Sequence, residues 1–420
     1  MKRYLFCTAI AAMALTSCSN DDFLGDVPGN NPSAVTAKEI SFSGEAGKTS
    51  RGTRADGDKT GADAANLLHN NFIVFGCKTA NHATQTVYDH YNVNWNNNDT
   101  KWVYIDQAKN ELNTTATKQT IKYWDYSATD YKFVAFSVGE ATQGTDVKIT
   151  KVDANATTYT LTGTAANLSR CYVADRITAK PETASGSNEV KYGQPVSFKF
   201  HSLGTKVNIG LYETIPGYSI KSVKFYESST DATPSDTPTL FATSATIPTD
   251  DSNKEKSAKV TFGDDNKVSV SWEEEDVTKA AVTKDTKIKF EALPKVKKEG
   301  DEEEGDLYLS REDNKKNCTV ASENAVIPSN GIGTLTLKID YTLIATDGSG
   351  ETIEVKGATA TIPAEQTTWE SNKAYTYIFK ISDKTNGSTG GDTIGLKPIT
   401  FEAIVTDITG GEHETEVKNN

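Results

Sequence analysis

Histidine, cysteine and carboxylate side chains are the residues of this sequence best suited to catalysis or metal binding. The five histidines are far apart, at positions 69, 82, 90, 201 and 413, and none is spaced with cysteines or carboxylates as metal ligands are. The acid pairs Asp250-Asp251 and Asp264-Asp265 occur beside Asn and Lys, which is typical of turns. Nucleophile, phosphate-binding and EF-hand motifs do not appear in the contexts they require. We therefore predict no enzyme activity, metal or cofactor, although two distant carboxylates of a glycosidase would leave no sequence spacing to find.

One cysteine has a context of its own near the start of the chain. Lys2 and Arg3 precede an apolar stretch from Tyr4 to Leu15, which is shorter than the roughly 20 residues of a membrane-spanning helix. Leu15-Thr16-Ser17-Cys18 then resembles the lipobox of bacterial lipoproteins. That resemblance implies a signal peptide over residues 1–17 and a Cys18 thiol that carries lipid. Acyl chains contribute about 0.8 kcal/mol per buried CH₂, so the lipid would anchor the chain to a membrane.

The residues after Cys18 indicate which membrane the lipid would attach the chain to. Ser19-Asn20-Asp21-Asp22 resembles the export tag that sends lipoproteins of the Bacteroidetes to the outer face of the outer membrane. We predict a flexible tether over residues 18–40, because this stretch is polar and contains Pro28 and Pro32. The predicted location is therefore the cell surface, as an outer-membrane lipoprotein.

The other cysteines, Cys77, Cys171 and Cys318, are widely spaced. Two of them could form a disulfide, or all could be buried free thiols. The net charge is −13 and no basic patch stands out, so nucleic acid is not an expected partner.

Alternating apolar residues predict the fold class. Val196, Phe198 and Phe200 point one way, and the same period of two recurs over Leu335–Leu343, Tyr375–Ile381 and Ile399–Val405. Polar turn residues separate these runs. This pattern is typical of antiparallel sandwiches with one buried face. On the prior of about 100 to 200 residues per domain, the length suggests two domains or three. We predict two, an N-terminal domain over residues 41–192 and a C-terminal domain over residues 193–420.

An accessible loop and two longer runs complete the list of informative features. Residues 47–57 are small and polar and contain Arg51 and Arg54, as in loops that proteases reach. With the lipobox, that loop, the run Ser197–Ile209 (SFKFHSLGTKVNI) and the run Trp369–Phe379 (WESNKAYTYIF) resemble fimbrillin-like proteins of the Bacteroidetes, the pilus subunits of the FimA and Mfa type.

The resemblance implies two tandem transthyretin-like β-sandwich domains, with the run at His201 opening the second. It further implies that an arginine-specific protease cuts after Arg51 or Arg54 and removes an N-terminal strand at Glu39–Ser43. The C-terminal segment of another pilus subunit would fill the exposed groove by β-augmentation. The donor here would be Ile399–Ile408, offering Ile399, Phe401, Ala403 and Val405 on one face.

Two alternatives stay open at this point. Ile408 stands where many relatives have a tryptophan, and the final strand could instead complete its own domain, as in an anchor or a non-polymerising subunit. A surface protein that binds glycans or host ligands is the other reading. Its candidate stacking platform, which could equally be sandwich core, is formed by Trp95, Trp102, Trp124, Tyr88, Tyr91 and Tyr104.

Overall fold

A computed structural model describes residues 38–46, 59–104, 119–142, 144–152, 155–182, 186, 188–244, 255–272, 287–293, 319–320, 324–326, 328–330, 333–382, 388–389, 392–393, 400–407 and 415–418. The predictions for the signal peptide, Cys18, Arg51, Arg54, Cys318 and Ile399 lie outside these ranges. Within them, no helix combines the length and apolar character needed to cross a membrane.

The described chain is almost entirely β-structure, which confirms the predicted all-β class. The helices are α1 (Gly61–Leu67) and α2 (Ala165–Leu168), with a 3-10 turn at Ala364–Gln366. The strands are β1 (Phe42–Ala46), β2 (Asn71–Ala80), β3 (Ala83–Asn96), β4 (Lys101–Val103), β5 (Asp130–Ser137), β6 (Val147–Val152), β7 (Thr158–Gly163), β8 (Tyr172–Ala174), β9 (Ile177–Lys180), β10 (Glu189–Lys191), β11 (Val196–Ser202), β12 (Thr205–Thr214), β13 (Tyr218–Phe225), β14 (Thr239–Ser244), β15 (Lys256–Phe262), β16 (Val268–Trp272), β17 (Lys287–Lys289), β18 (Thr319–Val320), β19 (Asn324–Val326), β20 (Ser329–Asn330), β21 (Thr334–Ala345), β22 (Thr352–Ile362), β23 (Thr368–Trp369), β24 (Lys373–Ser382), β25 (Ser388–Thr389), β26 (Asp392–Thr393), β27 (Thr400–Asp407) and β28 (Thr415–Lys418).

The largest sheet has the order β1-β11-β8-β5-β2-β3-β4, with β9 and β10 at its side. Its end strands β1 and β4 contact each other, so the sheet curls around an inner core rich in aromatic side chains. Its outer face packs against a four-stranded sheet, β16-β15-β7-β6. Strand β2 shows the consequence, because Phe72 and Val74 belong to the inner core while Ile73 and Phe75 belong to the outer one.

A second pair of sheets contains most of the other strands, while β20 and β23 form a separate two-stranded sheet. One has the order β18-β12-β24-β27-β28 and the other β17-β14-β21-β22-β25-β26. Their facing sides share one core, to which β12 contributes Val207, Ile209 and Leu211. Strands β21 and β24 supply much of the remainder, as their alternation predicts.

Strand β11 lies in a different sheet from the one expected. We expected it to open the second domain after residue 192, but it pairs with β1 and β8 in the first sheet. Phe198 and Phe200 are fully buried in the aromatic core there. Alternation shows that one face of a strand is buried, but it contains no information about which sheet buries it.

Strands β15 and β16 also cross the predicted boundary. They come from the 193–420 part of the chain, yet β15 pairs with β7 from Lys256 to Thr261. Ala258 and Val260 are fully buried beside Tyr159 and Leu161 in the outer core. Sheet membership therefore does not divide the chain at residue 193.

Candidate functional site

The most distinctive site is the groove in the first sheet that holds residues 38–46. Residues 38–40 of the segment lie beside residues 122–124. There the Ile40 N–H donates to the Lys122 carbonyl at 2.9 Å, and the Trp124 N–H donates to the Lys38 carbonyl at 3.1 Å. It then runs as β1 parallel to β11, with Phe42 opposite Val196 and Ala46 opposite Phe200. Backbone hydrogen bonds, first to residues 122–124 and then to β11, thus hold this short segment in the sheet.

Two apolar side chains of the segment fill the groove. Ile40 and Phe42 are 0% and 5% exposed. The Phe42 ring lies 5.0 Å from Tyr88 and 5.4 Å from Tyr104, both edge to face. It also lies 5.9 Å from Phe198 in a stacked arrangement. Burial of two such side chains contributes about 1.5–3 kcal/mol each, and the aromatic contacts add to this.

Gly44 marks the narrow end of the groove. A Cβ at this position would lie 3.1 Å from Phe200 Cε2 and 3.2 Å from Phe72 Cε1. A single methyl group would require both rings to move by a few tenths of an ångström, and a longer side chain would require much more. The groove therefore accepts large, large and small side chains at positions 40, 42 and 44.

The polar groups of the groove are neutral phenols. Burial and the neighbouring Tyr104 raise the pKa of Tyr88, and burial likewise raises the pKa of Tyr104. Tyr104 donates to the Ile40 carbonyl at 2.8 Å, and Tyr88 donates to Tyr104 at 3.3 Å. The arrangement can bind an extended peptide through backbone hydrogen bonds and side-chain pockets, and these phenols stay protonated at neutral pH.

The aromatic side chains proposed as a glycan platform are part of the core. Trp102, Trp124, Tyr88, Tyr91 and Tyr104 are buried, and the partly buried Trp95 packs on this same core. The platform interpretation is therefore wrong for these residues, and the core interpretation is confirmed. Sequence could not separate the two readings because aromatic residues serve both roles.

His201 of β11 lies beside the buried carboxylate of Asp175. Its Nε2 atom lies 3.3 Å from Asp175 Oδ2. Although burial favours the neutral acid, the nearby His201 ring and a hydrogen bond from the Val268 N–H lower the pKa of Asp175. The Asp175 carboxylate thus links β11 of the first sheet to β16 of the four-stranded sheet.

The predicted donor strand lies on its own sheet in this structure. Strand β27 pairs antiparallel with β24, with Phe401 opposite Phe379 and Val405 opposite Tyr375. Strand β28 pairs along its other edge. Strand β27 therefore lies in its own sheet and outside the groove of the same chain, which is compatible with donation to a neighbour and with completion of its own sheet.

The remaining predicted residues give simpler outcomes. Cys77 and Cys171 are buried, and burial raises the pKa of the Cys171 thiol. Within the described ranges, no group of three or more His, Cys, Asp or Glu side chains could hold a metal ion. Sequence reasoning missed the crevice at Gly44, although a glycine inside a strand is a signal of close approach by another group.

Comparisons with known proteins gave structural matches only. No family model matches the chain, and no curated protein matches it. A fimbrial protein from Bacteroides vulgatus covers 89% of this chain and 100% of its own length, with 17% identity and a TM-score of 0.45. Proposed cell adhesion proteins from Bacteroides uniformis and Bacteroides ovatus cover 90% and 86% of this chain and 100% of their own, with 10% and 12% identity and TM-scores of 0.32 and 0.35. At these values the similarities do not establish a family, so the functional proposal rests on the residues of this chain.

Proposed function

We propose that this chain is a structural subunit of a cell-surface pilus, exported as a lipoprotein through Cys18 and assembled by β-strand exchange after cleavage at Arg51 or Arg54. The supporting observation is the seating of residues 38–46 in the aromatic groove. Cleavage after either arginine would leave this segment attached to the rest of the chain only by noncovalent contacts. Its loss would open a groove shaped for another apolar strand.

The pairing of β27 within its own sheet implies that the uncleaved chain cannot take part in strand exchange. Before cleavage both partners of the exchange are occupied, because the groove holds 38–46 and β27 pairs with β24 and β28. A chain with no open groove and no free donor would not assemble inside the cell. Proteolysis would empty the groove first. Strand β27 would then leave its own sheet and enter the groove of a neighbouring subunit.

The test uses the soluble chain that begins at Ser19, treated with an arginine-specific endoprotease. We expect cleavage after Arg51 or Arg54, followed by growth of filaments, which size-exclusion chromatography detects as large species and electron microscopy shows directly. The double variant Arg51→Gln/Arg54→Gln should remain monomeric under the same treatment. A cleaved chain that stays monomeric, or one that polymerises equally well without residues 399–420, would contradict the proposal.

A non-polymerising surface lipoprotein that binds glycans or host ligands is the second candidate. It is favoured by the pairing of β27 with β24, since a strand that completes its own sheet needs no neighbour. Isothermal titration of the cleaved chain against a glycan panel separates the two. Heat of binding with no filament growth would support this candidate, and filament growth with no heat would support the pilus subunit.

A further inference from the structure

Two short stretches of the sequence resemble each other. Residues 38–44 read Lys-Glu-Ile-Ser-Phe-Ser-Gly, and residues 397–403 read Lys-Pro-Ile-Thr-Phe-Glu-Ala. Lysine, isoleucine and phenylalanine are identical at the first, third and fifth positions, a hydroxyl residue is shared at the fourth and a small residue at the seventh. One copy lies in the groove, and the other lies in the segment proposed as donor.

We propose that residues 397–405 of a second copy of this chain replace residues 38–46 position for position and run parallel to β11. This inference rests on the proposed strand exchange and specifies its register and direction. Ile399 would occupy the place of Ile40, Phe401 that of Phe42, and Ala403 that of Gly44.

The narrow end of the groove selects this register. Among the residues of alternate positions 399–407, only Ala403 is small enough for the crevice between Phe200 and Phe72. Any other parallel register of the same parity places isoleucine, phenylalanine, valine or aspartate at position 44. A shift by one residue turns Thr400 and Glu402 into the apolar groove, where they would lose their hydration.

The same crevice selects the direction. If the segment ran antiparallel to β11 with Ala403 at position 44, Asp407 would occupy the fully buried place of Ile40. A buried carboxylate with no ionic partner is strongly unfavourable. Other antiparallel registers of this parity place a larger side chain at position 44.

The proline of the donor segment fits this register as well. Pro398 would stand at position 39, where the hydrogen bonds to 122–124 use the N–H of residue 40 and the carbonyl of residue 38. Position 39 therefore donates no hydrogen bond in this ladder. Proline has no N–H to donate and is tolerated in strands at such positions.

Cysteine pairs test the register directly. Ser43 and Ser197 are opposite each other in β1 and β11, and their hydroxyl oxygens lie 2.7 Å apart. In the proposed register Glu402 of the second copy takes the place of Ser43. The variant Glu402→Cys/Ser197→Cys, in a chain carrying Cys318→Ser, should form covalent ladders when its filaments are oxidised.

Matched controls use the neighbouring donor positions of the same face. Thr400→Cys/Ser197→Cys and Ile404→Cys/Ser197→Cys should give at least tenfold less ladder, and Ser43→Cys/Ser197→Cys should crosslink within the uncleaved chain. Filaments that crosslink through position 400 or 404, or that form without any ladder while the uncleaved calibration pair does crosslink, would overturn the register and leave strand exchange intact. Failure of the parent chain to form filaments would instead contradict the proposed function and the register with it.

Discussion

Phe42→Ala should loosen the segment 38–46 without altering the groove that receives it. Phe42 is almost fully buried and its ring contacts Tyr88, Tyr104, Phe133 and Phe198 at centroid distances of 5.0–5.9 Å. Loss of a buried phenylalanine costs about 3–5 kcal/mol through lost burial and the remaining cavity. We expect the cleaved segment to be held more weakly by that amount.

The expected change in dissociation is large enough to measure. Because about 1.4 kcal/mol corresponds to a factor of ten, a loss of about 3–5 kcal/mol should make the cleaved N-terminal fragment dissociate roughly 100- to 4,000-fold more readily. The assay is retention of that fragment on gel filtration at intervals after arginine-specific cleavage. Filament growth should begin earlier in the variant, since release of the fragment precedes strand exchange.

Ser43→Ala is the matched control in the same strand. The Ser43 hydroxyl is bonded to Ser197 at an exposed site, so its removal should cost no more than about 1 kcal/mol. Equal retention of the fragment in Phe42→Ala and Ser43→Ala would refute the reasoning that the aromatic groove holds the segment.

Three other perturbations test the surrounding structure. Val260→Asp should lower the free energy of unfolding by about 3 kcal/mol or more in chemical denaturation, because it buries a charge between the two sheets. Lys259→Asp, at an exposed site, should have little effect. Equal losses of stability in the two variants would contradict the packing of β15 beside β7. Folding lowers the pKa of Asp175 below its ordinary value of 3.8, so its ionised form stabilises the fold above that pH and this contribution is lost as the pH falls. Asp175→Asn should therefore flatten the pH dependence of unfolding below about pH 4, and an unchanged pH dependence in this variant would contradict the assignment. Cys171 is fully buried with a raised pKa, so it should react with a thiol reagent only after unfolding, and rapid labelling of the native chain would contradict its placement.

Local sequence pattern was sufficient to predict the fold class. Alternation in β11, β21 and β24 correctly identified their buried faces, because side chains of a strand point to opposite sides whatever the strand pairs with. For the tryptophan and tyrosine residues the sequence left core and glycan platform both open, and the structure decided for the core. The signals at Cys18, Arg51 and Arg54 remain predictions, because those residues lie outside the described structure.

Tertiary structure alone decided which strands are neighbours. In the structure β11 pairs with β1, β15 and β16 belong to the same sheet as β7, and Phe200 and Phe72 lie close to Gly44. Each of these contacts joins residues far apart in sequence, and their partners are chosen by the burial of whole faces together. A local period of two reports that a side is apolar, while the shape of the pocket that receives it depends on side chains from several distant strands.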